Sequence, residues 1–183
     1  MQLKASKPTR IVTRMKRGLF LAALLLVPTL GLAQPFQFGL LAGGGRSMEE
    51  GFDFSFDHGV REVFFGARID VDTMFNVKLG QTDTETGPLG ESVADGTIDY
   101  VVGQVEYRFD EVWGASAVFA GSGAYRVRAG DLEDTNLGLV GGVNTTFPIN
   151  RHFGVMLELA YHWVNFEERY SFLTATGGVR VAF

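Results

Sequence analysis

One short stretch of this sequence, Phe153–Trp163, limits what the whole chain can fold into. Every second side chain in it is apolar, and the series begins and ends with aromatic rings: Phe153, Val155, Leu157, Leu159, Tyr161 and Trp163. The positions between them include a carboxylate and an imidazole, Glu158 and His162. Side chains of a β-strand point alternately to opposite faces, so one face is apolar and the other is polar. An apolar band bordered by aromatic rings is typical of a strand that crosses a bilayer, which needs roughly 9–11 residues.

The first 33 residues have the composition of an export signal. An apolar run, Leu19–Val27, is followed by the small residues Gly31–Ala33. Six basic residues precede the run: Lys4, Lys7, Arg10, Arg14, Lys16 and Arg17. The run is too short for a membrane-spanning helix, which needs about 20 residues, so a retained anchor is the less favoured alternative. We predict a signal peptide at 1–33, cleaved after Ala33, with translation starting at Met1 or Met15.

Charge and cysteine content then narrow the function of the remaining segment, residues 34–183. Without the six basic residues of the signal, 10 of the 16 Lys and Arg remain against all 21 Asp and Glu, a net charge of −11. A chain this acidic lacks the basic footprint that nucleic acid requires. The absence of cysteine excludes disulfides, thiolate metal sites and an acylated N-terminal cysteine.

Alternation like that of the opening stretch recurs along residues 34–183 and predicts eight antiparallel strands. These are Phe36–Gly45, Glu62–Val71, Met74–Gln81, Thr97–Phe109, Trp113–Ala129, Asn136–Phe147, Phe153–Trp163 and Tyr170–Phe183. Three links are short: Asp72–Thr73, Asp110–Val112 and Pro148–Arg151. The other four are longer and acidic, and we expect them outside the cell: Arg46–Val60, Thr82–Gly96, Gly130–Thr135 and Asn165–Arg169. Short turns on one rim and longer loops on the other indicate an up-and-down transmembrane β-barrel.

A soluble ligand-binding barrel is the alternative, and the position of the charges argues against it. One face of each predicted strand is nearly free of charge in its centre, whereas the opposite face carries residues such as Lys78 and Glu106. An Arg or Lys facing lipid at mid-membrane costs about 2–4 kcal/mol, so the charged faces must point into the lumen. Closure of the sheet also removes edges whose backbone groups lipid cannot satisfy.

The C-terminal residues carry a resemblance to a known family. Phe183 is the last residue, and Val181 and Val179 share its face of the strand, which resembles the C-terminal signature of outer-membrane proteins. As a pattern, Phe36–Phe183 resembles the small eight-stranded barrels that include the OmpA transmembrane domain, OmpX and the opacity proteins. The resemblance implies a monomer in the outer membrane of a Gram-negative-type bacterium, in contact with lipid and lipopolysaccharide. It also implies that Phe183, Val181 and Val179 form the signal read by the barrel-assembly machinery.

The polar faces predict a network of salt bridges inside the barrel. Counting from the short-turn end places Lys78 beside Glu106 and Glu158 beside Arg180, with Arg68 near the same layer. We predict that these five residues close the periplasmic half of the lumen.

Two patterns suggest chemistry, and each has a simpler explanation. Glu158 and His162 share the inward face, with Ser116 and Ser122 predicted inward two strands away, as a lipid hydrolase would need. A polar network that fills a narrow lumen explains the same residues, and no His-x-Ser motif of the lipid A deacylases is present. His58 with Asp53 and Asp57 is too loose a cluster for a metal site, and acidic loops are ordinarily a solvated surface.

We therefore expect no catalytic residue, no resident metal and no cofactor. The favoured function is a structural or surface-interaction barrel whose lumen is polar and closed. Passage or binding of a small apolar molecule, as in OmpW-like barrels, remains open, and so does a lipid-modifying enzyme. The polar lumen argues against the first alternative.

Overall fold

The computed structural model describes residues 36–48, 56, 58–84, 96–109, 115–130, 132–166 and 169–183, and the predicted signal peptide lies outside them. Eight strands are present: β1 Phe36–Ser47, β2 His58–Arg68, β3 Thr73–Thr84, β4 Gly96–Phe109, β5 Ala115–Ala129, β6 Leu132–Pro148, β7 Phe153–Asn165 and β8 Arg169–Ala182. Each pairs antiparallel with the next, and β1 pairs with β8 to close the barrel. The predicted fold class is confirmed. None of the described residues belongs to a helix long and apolar enough to cross a membrane.

The two ends of the barrel differ in their connections. The chain ends of the barrel, at Phe36 and Ala182, share one end with the turns 69–72 and 149–152, and β4 ends and β5 begins there; we name it the terminal end. At the opposite end, which we name the loop end, β1 ends and β2 begins, and the same holds for β3 and β4, β5 and β6, and β7 and β8. Strand β5 ends at Ala129 as predicted, but β6 begins at Leu132 rather than Asn136 and so extends further toward the loop end than the sequence predicted. The expected loop Gly130–Thr135 therefore shrinks to residues 130–131, where Gly130 adopts a positive φ of 59° that glycine tolerates.

Two turns at the terminal end are closed by the same side-chain device. An Asp70 carboxylate oxygen accepts hydrogen bonds from the backbone N–H groups of Asp72 and Thr73, at 3.0 and 2.8 Å. In the 149–152 turn the Asn150 amide oxygen accepts hydrogen bonds in the same way from the backbone N–H groups of His152 and Phe153. Such Asx turns end a strand even where apolar residues continue the alternation. The prediction that β2 reaches Val71 was wrong for this reason, because β2 ends at Arg68 and Val71 lies exposed in the turn.

The outer wall of the barrel is an apolar belt. Its members are large, at least one-third exposed, and come from all eight strands: Leu40, Phe65, Phe75, Val77, Val101, Val105, Tyr107, Phe109, Val118, Leu139, Val143, Phe147, Phe153, Val155, Leu157, Leu159, Tyr161, Trp163 and Val179. Aromatic rings border the belt, with Phe109 and Phe153 near the terminal end and Trp163 near the loop end. Soluble monomers rarely expose a contiguous apolar surface of this extent, so the belt is suited to lipid.

The two faces of β5 are the reverse of those that the sequence predicted. Ser116 and Ser122 were predicted to point inward, but the buried series is Ala117, Phe119, Tyr125, Val127 and Ala129. The outward series begins with Ser116 and continues through Val118, Ala120, Ser122 and Ala124 to Arg126 and Arg128. Near the loop end Arg126 and Arg128 pair with Glu133 and Asp99, both at 2.5 Å. Both faces of β5 are thus partly apolar, and hydrophobicity alone does not distinguish lumen from lipid.

Candidate functional site

The lumen toward the loop end is filled by apolar and aromatic side chains. A single buried cluster contains Ile98, Tyr100, Val102, Phe119, Tyr125, Val127, Val140, Ala160, Val164, Phe166, Tyr170 and Phe172. Its rings are in mutual contact: the centroids of Tyr100 and Tyr125 lie 5.5 Å apart, and those of Tyr170 and Phe172 lie 6.0 Å apart. We name this cluster the aromatic layer. Ring pairs at such distances add to the stability from apolar burial.

His162 is the polar member of this region and has a partner on each side. Its ring stacks on Phe172, with centroids 4.4 Å apart and planes inclined by 2°. Nδ1 lies 3.0 Å from the Tyr125 hydroxyl and Nε2 lies 3.4 Å from Thr174 Oγ1. The imidazole is fully buried. Both ring nitrogens are therefore used within the lumen, as a buried polar group requires.

Below the aromatic layer, Lys78 occupies the centre of a buried ion cluster. Its ammonium group contacts the carboxylate of Glu158, which projects from β7, and lies 3.7 Å from Glu62 Oε1. The Tyr100 hydroxyl donates to Glu62 Oε1 at 2.6 Å, and Thr176 donates to Glu62 Oε2 at 3.3 Å. We name these residues the Lys78 cluster. Buried charges persist only when they are paired and hydrogen-bonded, so these contacts are required for the lysine to remain in the lumen.

Closer to the terminal end, a second ion cluster surrounds Glu106. The Arg108 Nε donates to Glu106 Oε1 at 3.1 Å, and Arg180 Nη1 lies 3.9 Å from the same oxygen. The Asn76 and Asn144 amides donate to Oε2 at 3.0 and 3.3 Å. We name these residues the Glu106 cluster. The carboxylate thus has four polar partners from four different positions in the barrel wall.

The five predicted network residues are distributed differently from the sequence expectation. Lys78 was predicted beside Glu106, but the β3–β4 register sets Lys78 against Val102 and Glu106 against Met74. Glu158 contacts Lys78 rather than Arg180, which lies near Glu106. The error has a geometric cause, because closing a barrel staggers the strands and residues counted from the turns do not share a depth.

Arg68 stands apart from both clusters at the terminal mouth. Its Nε is buried without a hydrogen-bond acceptor, and it makes no ion pair within the described parts of the chain. Sequence reasoning also missed two network members, Glu62 and Arg108, although both lie on the polar faces of their strands. Their alternation placed them inside, but nothing in the sequence identified their partners.

The predicted groups for catalysis are not brought together. Ser116 and Ser122 face outward on β5, whereas His162 and Glu158 are buried in the lumen. Ser116 instead lies 3.1 Å from the hydroxyl of Thr145 on β6. For the metal hypothesis, His58 begins β2, while Asp53 and Asp57 lie outside the described residues. In the ranges that are described, His, Asp and Glu side chains form no group of three suited to a metal ion.

The residues of the predicted assembly signal line the outer face of β8. Val179 is exposed on the apolar belt, and Phe183 is 73% exposed just beyond the end of the strand. The backbone N–H of Phe183 donates to the carbonyl of Phe36 at 2.9 Å, which ties the C-terminus to β1. Their role as a signal, together with Val181, stays a prediction.

Comparison with solved structures supports the fold. Neisserial surface protein A is 18% identical over 82% of this chain and 97% of its own, with a TM-score of 0.54. Ail of Yersinia pestis, solved in a phospholipid bilayer nanodisc, is 15% identical over 82% of this chain and 99% of its own, with a TM-score of 0.50. No protein-family model and no curated protein sequence matches. The chain therefore has the fold of the small eight-stranded outer-membrane barrels, as the C-terminal resemblance implied.

Proposed function

We propose that this protein is an outer-membrane β-barrel with a structural or surface-interaction role and a lumen closed to solutes. One observation carries the proposal: charges that are paired across the lumen lie inside a wall whose outer belt is apolar. Lipid requires such a belt, and a passage for hydrophilic solutes requires unfilled space where the Lys78 cluster lies. Neisserial surface protein A is a surface protein by name, and Ail was solved in a lipid bilayer, which supports the same location.

We propose an orientation in the outer membrane in which the terminal end faces the periplasm and the loop end faces the outside of the cell. An even number of strands brings both chain ends to one side, where the links 69–72, 110–114 and 149–152 are short. The two longest links, 48–57 and 85–95, then lie at the cell surface. They are the segments through which a surface interaction would occur, and the barrel wall anchors them.

The partners of the barrel are lipid, lipopolysaccharide and the assembly machinery, and it works as a monomer. Phe183 supports the proposed assembly step because it is exposed at the terminal border of the belt. Deleting Phe183 should leave export intact but reduce the amount of heat-modifiable, protease-resistant barrel in the outer membrane. Phe36→Leu, at the other chain end of the same seam, is the control. Normal amounts of folded barrel after the deletion would rule out the signal.

The proposal includes no catalytic step. Glu158 is ion-paired with Lys78, and His162 has Tyr125, Thr174 and Phe172 as neighbours. Both side chains are nearly or fully buried, so a substrate would have to displace these partners first. Passage of an apolar molecule is also less favoured. The aromatic layer is apolar, contrary to the expected polar lumen, but its rings pack against one another and occupy the space that such a molecule would need.

Planar-bilayer recording tests the closed lumen. The unmodified protein should give no large steady pore, because the Lys78 and Glu106 clusters and the aromatic layer occupy successive depths of the lumen. The double variant Lys78→Ala, Glu158→Ala removes the central cluster and should give more frequent or larger openings. Arg126→Ala, which alters only an outward-facing pair, is the control. A large steady conductance in the unmodified protein would overturn the proposal.

A further inference from the structure

A basic cavity opens at the terminal end of the barrel. It has a volume of about 540 Å³, and its lining includes four arginines, Arg68, Arg108, Arg151 and Arg180, together with His152. The arginines come from β2, β4, the 149–152 turn and β8, so the closed barrel brings them together from distant parts of the sequence. Cavities of roughly 300–1,000 Å³ are typical of small-molecule sites. We name this cavity the vestibule.

The charges of the vestibule are not balanced among the described residues. Arg108 and Arg180 share one carboxylate, that of Glu106. Neither Arg68 nor Arg151 has an ion pair in the described part of the chain, and Arg68 Nε is buried without an acceptor. The complete chain carries 21 Asp and Glu against 16 Lys and Arg, so this concentration of arginine runs against its overall charge. A buried guanidinium nitrogen without an acceptor, at a cavity that three further arginines line, indicates that an anion completes the site.

We propose that the vestibule binds a soluble oxyanion of the phosphate type, with Arg68 and Arg151 as its principal ligands. The planar guanidinium fork matches the oxygens of phosphate and donates two parallel hydrogen bonds to it. Several guanidiniums around one cavity favour a diphosphate over a single phosphate, because its charge is larger and spread over more oxygens. This inference goes beyond the proposed function and does not depend on whether the lumen conducts.

A lipid phosphate offers the same chemistry from a different source. The vestibule lies at the mouth of the lumen, enclosed by strands from several sides of the barrel, among them β2, β4, β6 and β8. A lipid headgroup would have to leave the leaflet and pass over the rim to reach it, whereas a solute enters directly from water. We therefore assign the soluble anion, and the experiment below separates the two sources.

Isothermal titration with inorganic pyrophosphate tests the site, using the full folded barrel in nanodiscs of zwitterionic lipid at constant ionic strength. We expect saturable binding at one site. The double variant Arg68→Gln, Arg151→Gln should bind pyrophosphate at least tenfold more weakly. The double variant Arg126→Gln, Arg128→Gln is the matched control. It also removes two positive charges, but at the loop end, so it should leave the affinity for pyrophosphate unchanged. Absence of saturable binding, or equal weakening by both double variants, would overturn the site.

Two further measurements distinguish loss of the site from misfolding, and a soluble anion from a lipid headgroup. Arg151→Gln alone alters only an exposed turn residue, so it reports on binding even if the double variant folds poorly; heat-modified mobility on gels checks folding. The titration is repeated in nanodiscs that contain phosphatidylglycerol. Unchanged pyrophosphate affinity supports a soluble ligand. If phosphatidylglycerol instead competes with pyrophosphate, and this competition is lost in Arg151→Gln, the ligand is a lipid headgroup and the assignment of a soluble anion is wrong.

Discussion

The two halves of the lumen are filled by physically different means. Toward the loop end the aromatic layer packs apolar rings and aliphatic side chains with little polar content. Toward the terminal end the Lys78 and Glu106 clusters fill the same cross-section with ions and amides. A closed sheet of eight strands leaves an interior just wide enough for side chains, and either filling satisfies that space.

Because they are filled differently, the two halves of the lumen should respond differently to single substitutions. Truncating an apolar side chain leaves a cavity, and the cost grows gradually with the volume lost. Removing one ion from a paired cluster leaves its partner charged and buried, which costs far more than the pair itself contributes. The polar half should therefore be the more sensitive to single substitutions, although burial is similar in both.

The largest expected effect is that of Lys78→Met, which removes the central cation of the polar half. It leaves Glu62 and Glu158 buried without their counter-ion, and we expect a loss of about 3–5 kcal/mol in the free energy of unfolding. Urea titration of the barrel in lipid vesicles, followed by the intrinsic fluorescence, measures the loss. Arg128→Met is the control, because its pair with Asp99 is partly exposed and such pairs contribute only about 0–1 kcal/mol.

A double-mutant cycle sharpens that result. Glu158→Gln combined with Lys78→Met removes both members of the pair, so the double variant should be more stable than the sum of the single losses implies. Strict additivity would show that the two side chains do not interact as the ion cluster requires.

A smaller effect is expected from Tyr125→Phe in the aromatic layer. The ring stays, and only the hydroxyl bonded to His162 Nδ1 is lost. We expect a loss of about 1–3 kcal/mol, the usual cost of leaving one buried polar atom unpaired. The same urea titration applies, with Tyr161→Phe on the lipid face as the control. A loss equal to that of Lys78→Met would contradict the contrast between the halves.

The smallest effect concerns the rim of the polar half, where Asp70 and Asn150 close equivalent turns. The backbone N–H of Asp72 holds the pKa of Asp70 below its usual 3.8, with further help from the Thr73 hydroxyl. A lowered pKa means that the carboxylate stabilises the fold above its ordinary pKa, and that this contribution is lost as the pH falls through the folded value.

Comparing unfolding of the wild type with Asp70→Asn from neutral to acidic pH measures this contribution. The substitution keeps an acceptor oxygen but removes the charge, so the small advantage of the wild type should shrink below about pH 4 and vanish in stronger acid. Asn150→Ala should instead have the same effect at every pH, because an amide does not titrate. A constant difference for Asp70→Asn would show that its charge is irrelevant to the turn.

Much of the barrel could be predicted because alternation is a local property. In β7 each side chain faces the side that its neighbours imply, and the exposure of β7 alternates along its whole length. Strand β5 could not be predicted in the same way. Phe119 and Tyr125 look like lipid-facing residues, yet both are buried in the lumen. Tyr125 lies among other rings, and the Phe119 ring lies 5.2 Å from the Lys78 ammonium group.

The strand number, the fold class and the polar faces of most strands could be read from the residues alone, because a period of two is set by the backbone of each strand. Which charges meet depends on the closed barrel. Lys78 contacts Glu158 across the barrel, and Arg108 and Arg180 converge on Glu106 from different strands. Those pairings depend on the stagger between strands and on the closure of β1 with β8, and neither leaves a periodic trace within one strand.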